Sequence, residues 1–161
     1  TATTVASMLG SYGMVHLAAH GRFRSDRPLL STLRLDGGEA TLHDIVPDRI
    51  ESRLVVVSSC EGGAQGSADG SEVLGLGAVL LARGAATVIA PLTTVRDLEC
   101  GEFVADVHAE LAAGATAAVA LATVRRRWLA DDDLSRWAVA SSFACFGSGM
   151  STVDCGPHTS P

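Results

Sequence analysis

A run of one leucine and three valines at residues 54–57 constrains the fold more than any other part of the chain. Valine is β-branched and favours strands, and a strand that is apolar on both faces must be covered on both faces. Antiparallel sheets commonly leave one face in water, so this run is typical of a covered, parallel sheet. Two serines follow it, and we predict a buried strand over residues 54–59.

Similar apolar runs at 14–19 and 86–90 predict two further strands, the second of which ends at Pro91. Segments with helical character separate the strands, and we expect Gly84 to close the helix over 71–83. The other predicted elements are a small hairpin or strand edge within 33–42, a short helix over 42–46 that Thr41 could cap, helices over 71–83, 98–112 and 116–129, and a last strand over 137–146. This alternation predicts an α/β fold, a three-layer α/β/α sandwich with a mainly parallel sheet.

The bulk composition excludes several classes of protein. The 161 residues fit one domain, which we expect to cover 1–147, with 148–161 as a flexible tail. A formal net charge of −6 gives no reason to expect a nucleic-acid partner, and the arginines at 125–127 suit the end of a helix. No apolar stretch reaches the ~18 residues of a membrane span, and no secretory signal is present, so we expect a cytoplasmic protein.

The cysteines and histidines do not predict a metal centre. The four cysteines form no CxxC pair, so neither structural zinc nor a disulfide framework is expected. His16 and His20 lie four residues apart, but on a strand that spacing separates them by ~13 Å. We predict that His16 lies on a sheet face and that the other histidines, at 43, 108 and 158, are surface residues. The glycine-rich loop at 61–70 lacks lysine and the phosphate-loop motif, so no nucleotide is expected.

Two of the predicted strands lead directly into a reactive side chain. His20 and then Gly21 follow the first strand, and Cys60 ends the second. The carboxyl ends of parallel strands form the usual ligand-binding edge of such a sheet, and neighbouring strands lie ~4.8 Å apart. Taken singly, a loop histidine and a small buried thiol are ordinary structural residues. On neighbouring strands, they are typical of a cysteine–histidine nucleophile pair.

The residues around this pair resemble a known family. The histidine–glycine at 20–21 and the serine–cysteine–glutamate–glycine–glycine at 59–63 resemble the caspase-like (clan CD) cysteine peptidases. Residues 69–76 and 80–88 sharpen the match to the CHAT domain, a caspase relative often joined to TPR repeats. The resemblance covers residues 14–147, and it implies a caspase-like fold and a cysteine endopeptidase that uses no cofactor.

The resemblance also assigns roles to individual residues. It implies that Cys60 attacks a peptide carbonyl, that His20 shuttles the proton, and that the backbone N–H groups of Gly21 and Cys60 hold the oxyanion. Ser58, two residues before the cysteine, would line the pocket for the substrate residue whose carbonyl is attacked. Four acidic residues near the expected site could favour a basic substrate side chain, although helix capping explains the last two equally well: Asp26, Glu61, Asp69 and Glu72.

Some features depart from the family pattern. CHAT domains usually have more strands before the histidine strand, whereas 13 residues precede it here, so we expect the C-terminal portion of a longer CHAT domain with an open sheet edge. Attached domains, including TPR repeats, would regulate cleavage of a protein partner. The alternative function is a catalytically inactive caspase-like scaffold in a signalling or defence assembly.

Overall fold

The computed structural model describes residues 1–22, 24, 26–58, 71–93 and 97–153, without the side chains of residues 71–74 and 97. The elements, in chain order, are α1 (Ala2–Leu9), β1 (Met14–Leu17), β2 (Gly21–Arg22), a 3-10 turn (Pro28–Leu30), β3 (Thr32–Leu35), β4 (Gly38–Thr41), α2 (Leu42–Ile45), β5 (Leu54–Val57), α3 (Ser71–Ala82), β6 (Thr87–Pro91), α4 (Asp97–Ala112), α5 (Ala117–Leu129), α6 (Leu134–Ser142) and β7 (Phe143–Gly147). None of the described helices combines the length and the apolar character needed to cross a bilayer.

The main sheet has the strand order β1-β5-β6-β7. The first three strands run parallel, with His16 beside Val56 and Val56 beside Ile89, and β7 is antiparallel to β6. The prediction of a mixed α/β fold with a mainly parallel sheet is confirmed. The strand β1 lies at one edge of this sheet.

Adjacent residues of the central strands pack into two different cores, because successive side chains point to opposite faces. Leu54 and Val56 join a core that helices α4, α5 and α6 complete, whereas Val55 and Val57 join a core with α1, α2 and α3. All four side chains are fully buried, as a strand with two apolar faces requires. Helices therefore cover both faces of the sheet, which agrees with a three-layer arrangement.

A second, three-stranded antiparallel sheet has the order β2-β3-β4. Its hairpin turns through Asp36 and Gly37, and the φ angles of 111° at Gly37 and 121° at Gly38 suit glycine. The predicted cap is also confirmed, since Thr41 and Asp44 form a reciprocal capping box at the start of α2.

The C-terminal part of the chain corrects one predicted element. Residues 137–146 are not one strand, because α6 occupies Leu134–Ser142 and only then does β7 begin. The Asp133 carboxylate caps α6 by accepting the Ser135 N–H at 2.8 Å, and Val139 and Ala140 bury the helix face. Local capping thus overrides the β-branched and aromatic content of this segment.

The packed part of the chain continues beyond the predicted boundary at residue 147. The Ser151 side chain is 1% exposed, its hydroxyl donates to the Arg53 carbonyl at 3.0 Å, and its backbone carbonyl accepts from Ala117. Val153 also packs against the core that α4, α5 and α6 complete, so residues 148–153 lie against the folded body, and residues 154–161 lie outside the described residues.

Candidate functional site

A cavity of about 510 Å³ opens at the carboxyl ends of β1 and β5, between this edge of the sheet and helix α4. Its wall combines small apolar side chains with three histidines and one serine. The lining residues are His16, Ala18, Ala19, His20, Ser58, Cys100, Gly101, Val104, Ala105 and His108. Ligands commonly bind at this edge of a parallel sheet, so the cavity is the candidate site.

Two neighbouring strands supply the first pair of polar groups. The Ser58 N–H donates to the Leu17 carbonyl at 3.0 Å and so continues the β1–β5 ladder beyond Val57. This pairing places His16 and Ser58 on the face that meets α4, and His16 Nε2 lies 2.8 Å from Ser58 Oγ. The strand register therefore positions a serine and a histidine in direct hydrogen-bond contact.

Helix α4 supplies the third group of the same chain of hydrogen bonds. His108 Nε2 lies 3.2 Å from His16 Nδ1, and the two rings are 4.9 Å apart between centroids. Gly101, Val104, Ala105 and His108 follow helical spacing, so one stripe of α4 forms the cavity wall. The structure thus assembles a continuous Ser58–His16–His108 network.

The environment keeps both histidines uncharged at neutral pH. Burial of its ring and then the neighbouring His108 lower the pKa of His16 from 6.5 to about 4. Burial also lowers the pKa of His108. Because neutral imidazole has one donor and one acceptor nitrogen, the two rings can share one proton in their hydrogen bond.

The small sheet fixes the segment that carries His20 and Gly21. The Arg34 N–H donates to the His20 carbonyl at 2.7 Å, and Gly21 lies opposite Leu33. A bond between these flanking positions identifies Gly21 and Leu33 as a pair without direct hydrogen bonds, so the Gly21 N–H points away from β3. That N–H is therefore not used by the ladder.

The structure brings some of the predicted site residues together and separates another. His20 and Ser58 line the same cavity, and Gly21 follows directly. Asp26 is exposed and does not line the cavity, and its carboxylate pairs with Arg24 at 3.1 Å, which lowers its pKa. Cys60, Glu61 and Asp69 lie outside the described residues, as does the side chain of Glu72 on α3.

The sequence prediction did not assign the two histidines that line the cavity beside Ser58. His16 lies on a sheet face as predicted, but its even spacing from His20 also signalled a shared face. His108 was predicted to lie at the surface, and the structure instead places it against His16, half-buried. His43 is exposed, as predicted, and His158 lies outside the described residues. Among the described residues, no group of three or more metal-ligating side chains is placed to hold a metal ion.

Comparison with known proteins identifies the family. The model of the CHAT domain matches residues 1–148, which is nearly the whole chain. Comparison with curated proteins gives no match. CHAT domains are a caspase-like, protease-related family. The chain therefore belongs to the CHAT domain family.

Proposed function

We propose that this domain is a cysteine endopeptidase that cleaves a protein substrate with Cys60 as nucleophile and His20 as proton shuttle. One observation carries the proposal: His20 and Ser58, from the ends of two neighbouring parallel strands, line one cavity. The sequence places Cys60 two residues after Ser58. Membership of a protease-related family supports the same chemistry.

The reaction proceeds in two steps. The Cys60 thiolate attacks the peptide carbonyl carbon, a carbon–sulfur bond forms, and the carbonyl oxygen becomes an oxyanion. As the carbon–nitrogen bond breaks, protonated His20 gives its proton to the leaving amine. Water then attacks the carbonyl carbon of the acyl-enzyme and gives a proton to His20, and the carbon–sulfur bond breaks, which releases the acid and regenerates the Cys60 thiolate beside protonated His20.

The backbone around His20 suits the charge that develops. The Gly21 N–H points away from the β2–β3 ladder, as an oxyanion donor must, and glycine lets a substrate approach the backbone closely. The Cys60 N–H is the proposed second donor. In other hydrolases, one such donor contributes about 3–4 kcal/mol to transition-state stabilisation.

Covalent labelling tests the nucleophile. We expect a leucyl chloromethyl ketone to add once to the wild-type protein and not to the Cys60→Ala variant, as measured by intact mass. Cys145→Ala is the matched control, since burial raises the pKa of the Cys145 thiol and so reduces its reactivity. Equal labelling of wild type and Cys60→Ala would exclude covalent catalysis at Cys60 and favour an inactive caspase-like scaffold.

Regulation is the remaining part of the proposal. Domains attached in the full-length protein, TPR repeats among them, would control access of the protein substrate to the site. We expect the isolated domain and the full-length chain to label at Cys60 at different rates. Equal rates would show that attached domains do not control the site.

A further inference from the structure

The composition of the cavity wall indicates which substrate side chain it would accept, given the proposed function on which this rests. We propose that the cavity receives one side chain of the peptide substrate and that His16 and His108, together with Ser58, select glutamine or asparagine there. Together with His20, these three residues form the polar part of a wall whose other members are small and apolar. A side chain with an apolar stem and an uncharged polar end matches that wall.

The charge of the wall argues against charged side chains. Among the described residues that line the cavity, none is an aspartate, glutamate, lysine or arginine. A lysine or arginine side chain would lose water there without meeting a carboxylate from these lining residues, which is costly. His16 and His108 would offer a substrate carboxylate no positive charge at neutral pH, since the pKa values of both rings are lowered.

The hydrogen-bond network explains the preference for an amide. Two uncharged arrangements are possible, because the hydrogen bond between the rings needs one donor and one acceptor. In one, His108 donates to His16 and His16 donates to Ser58; in the other, Ser58 donates to His16 and His16 donates to His108. To form hydrogen bonds with the network in either arrangement, the polar end of the substrate side chain must offer both a donor and an acceptor. A side-chain amide has both.

The cavity has a wall position that allows it to be filled without disturbing the fold. A Cβ added at Gly101 would meet no atom within 4 Å. Glycine inside a helix also costs stability, so leucine at this position of α4 should be tolerated or stabilising. Gly101→Leu therefore tests occupancy of the cavity separately from folding.

The first measurement is binding of product-like peptides to the Cys60→Ala protein by calorimetry. Three peptides differ only in their C-terminal residue, which is glutamine, leucine or arginine. We expect the glutamine peptide to bind at least about tenfold more tightly than the arginine peptide, the ratio that corresponds to about 1.4 kcal/mol. Equal or tighter binding of the arginine peptide would overturn the assignment.

Three variants in the same background locate the preference. His16→Leu and His108→Leu should each reduce the glutamine preference about threefold or more, because a buried amide then loses a partner. Gly101→Leu should weaken binding of all three peptides about tenfold or more. Ala122→Leu, at an exposed position of α5 outside the cavity, is the control and should change nothing. Normal binding by Gly101→Leu would show that the side chain lies elsewhere.

The two proposals fail in different ways. A glutamine preference that the cavity variants remove, without covalent labelling of Cys60, would support the pocket and refute the peptidase. Specific labelling of Cys60, without a preference among the peptides, would support the peptidase and refute the pocket.

Discussion

Both ends of the main sheet carry polar side chains, but these side chains differ in what they contact and in their exposure to solvent. At the amino end, the Ser52 hydroxyl lies within hydrogen-bond distance of the carbonyls of Leu9 (3.1 Å) and Tyr12 (2.6 Å), and it is fully buried. Thr87 and Ser151 are also buried there, 2.9 Å apart. These hydroxyls hold loops and strands together and are closed to solvent.

At the carboxyl end, the polar side chains bond to one another and line a cavity. The Ser58 hydroxyl contacts His16, which contacts His108, and solvent reaches all three side chains. Buried polar groups normally have hydrogen-bond partners, whether their role is structural or functional. The presence of a partner therefore does not by itself distinguish the two roles. The difference lies in the partners: buried hydroxyls and backbone carbonyls at the amino end, and titratable side chains beside open space at the carboxyl end.

The largest expected effect is on chemistry at the carboxyl end. His20→Ala should slow peptide cleavage about 10²- to 10⁴-fold, the usual contribution of a general acid–base group. The urea midpoint should stay close to that of wild type, because the His20 side chain is exposed. His43→Ala, which removes an exposed histidine outside the cavity, is the control. Full activity of His20→Ala would remove His20 from the mechanism.

A matched pair of serine substitutions should separate the two ends by stability. Ser52→Ala takes a buried donor from backbone carbonyls and should lower the free energy of unfolding by about 1–3 kcal/mol. Ser58→Ala should cost about 1 kcal/mol or less, because Ser58 is only partly buried and water can replace it. Urea unfolding measures both. A larger loss for Ser58→Ala than for Ser52→Ala would contradict the structural contrast between the ends.

The same substitutions should reverse their order when peptide binding is measured. Ser58→Ala removes one member of the proposed pocket, whereas Ser52 lies at the other end of the sheet. In the Cys60→Ala background, we expect Ser58→Ala to weaken binding of the glutamine peptide and Ser52→Ala to leave it unchanged. Unchanged binding by Ser58→Ala would exclude its hydroxyl from recognition.

Local sequence signals predicted most of the sheet but only part of the site. The valine-rich run of β5 and the Thr41 cap were predicted because each depends on residues close in sequence. The prediction of one strand over residues 137–146 was wrong, because the helix cap at Asp133 outweighed the β-branched and aromatic composition of the segment. The contact between His16 and His108 spans 92 positions and depends on how α4 packs at the edge of the sheet, which no local pattern encodes.

The last expected effect is a pH dependence of stability that arises at the carboxyl end of the sheet. The pKa of His16 is lowered from 6.5 to about 4, so between these values the unfolded chain binds a proton that the folded chain does not. Stability should therefore be full above about pH 6.5 and fall as the pH drops toward about 4, with His108 acting in the same direction.

Two variants isolate this contribution from those of the other titrating groups. His16→Gln removes the titrating ring and should lose less stability than wild type between about pH 7 and about pH 4.5, as measured by urea unfolding. Ser52→Ala should keep the wild-type pH dependence, because it changes only the amino end. Parallel stability curves for wild type and His16→Gln would show that His16 titrates normally in the folded protein. The contrast between the two ends of the sheet would then rest on geometry alone.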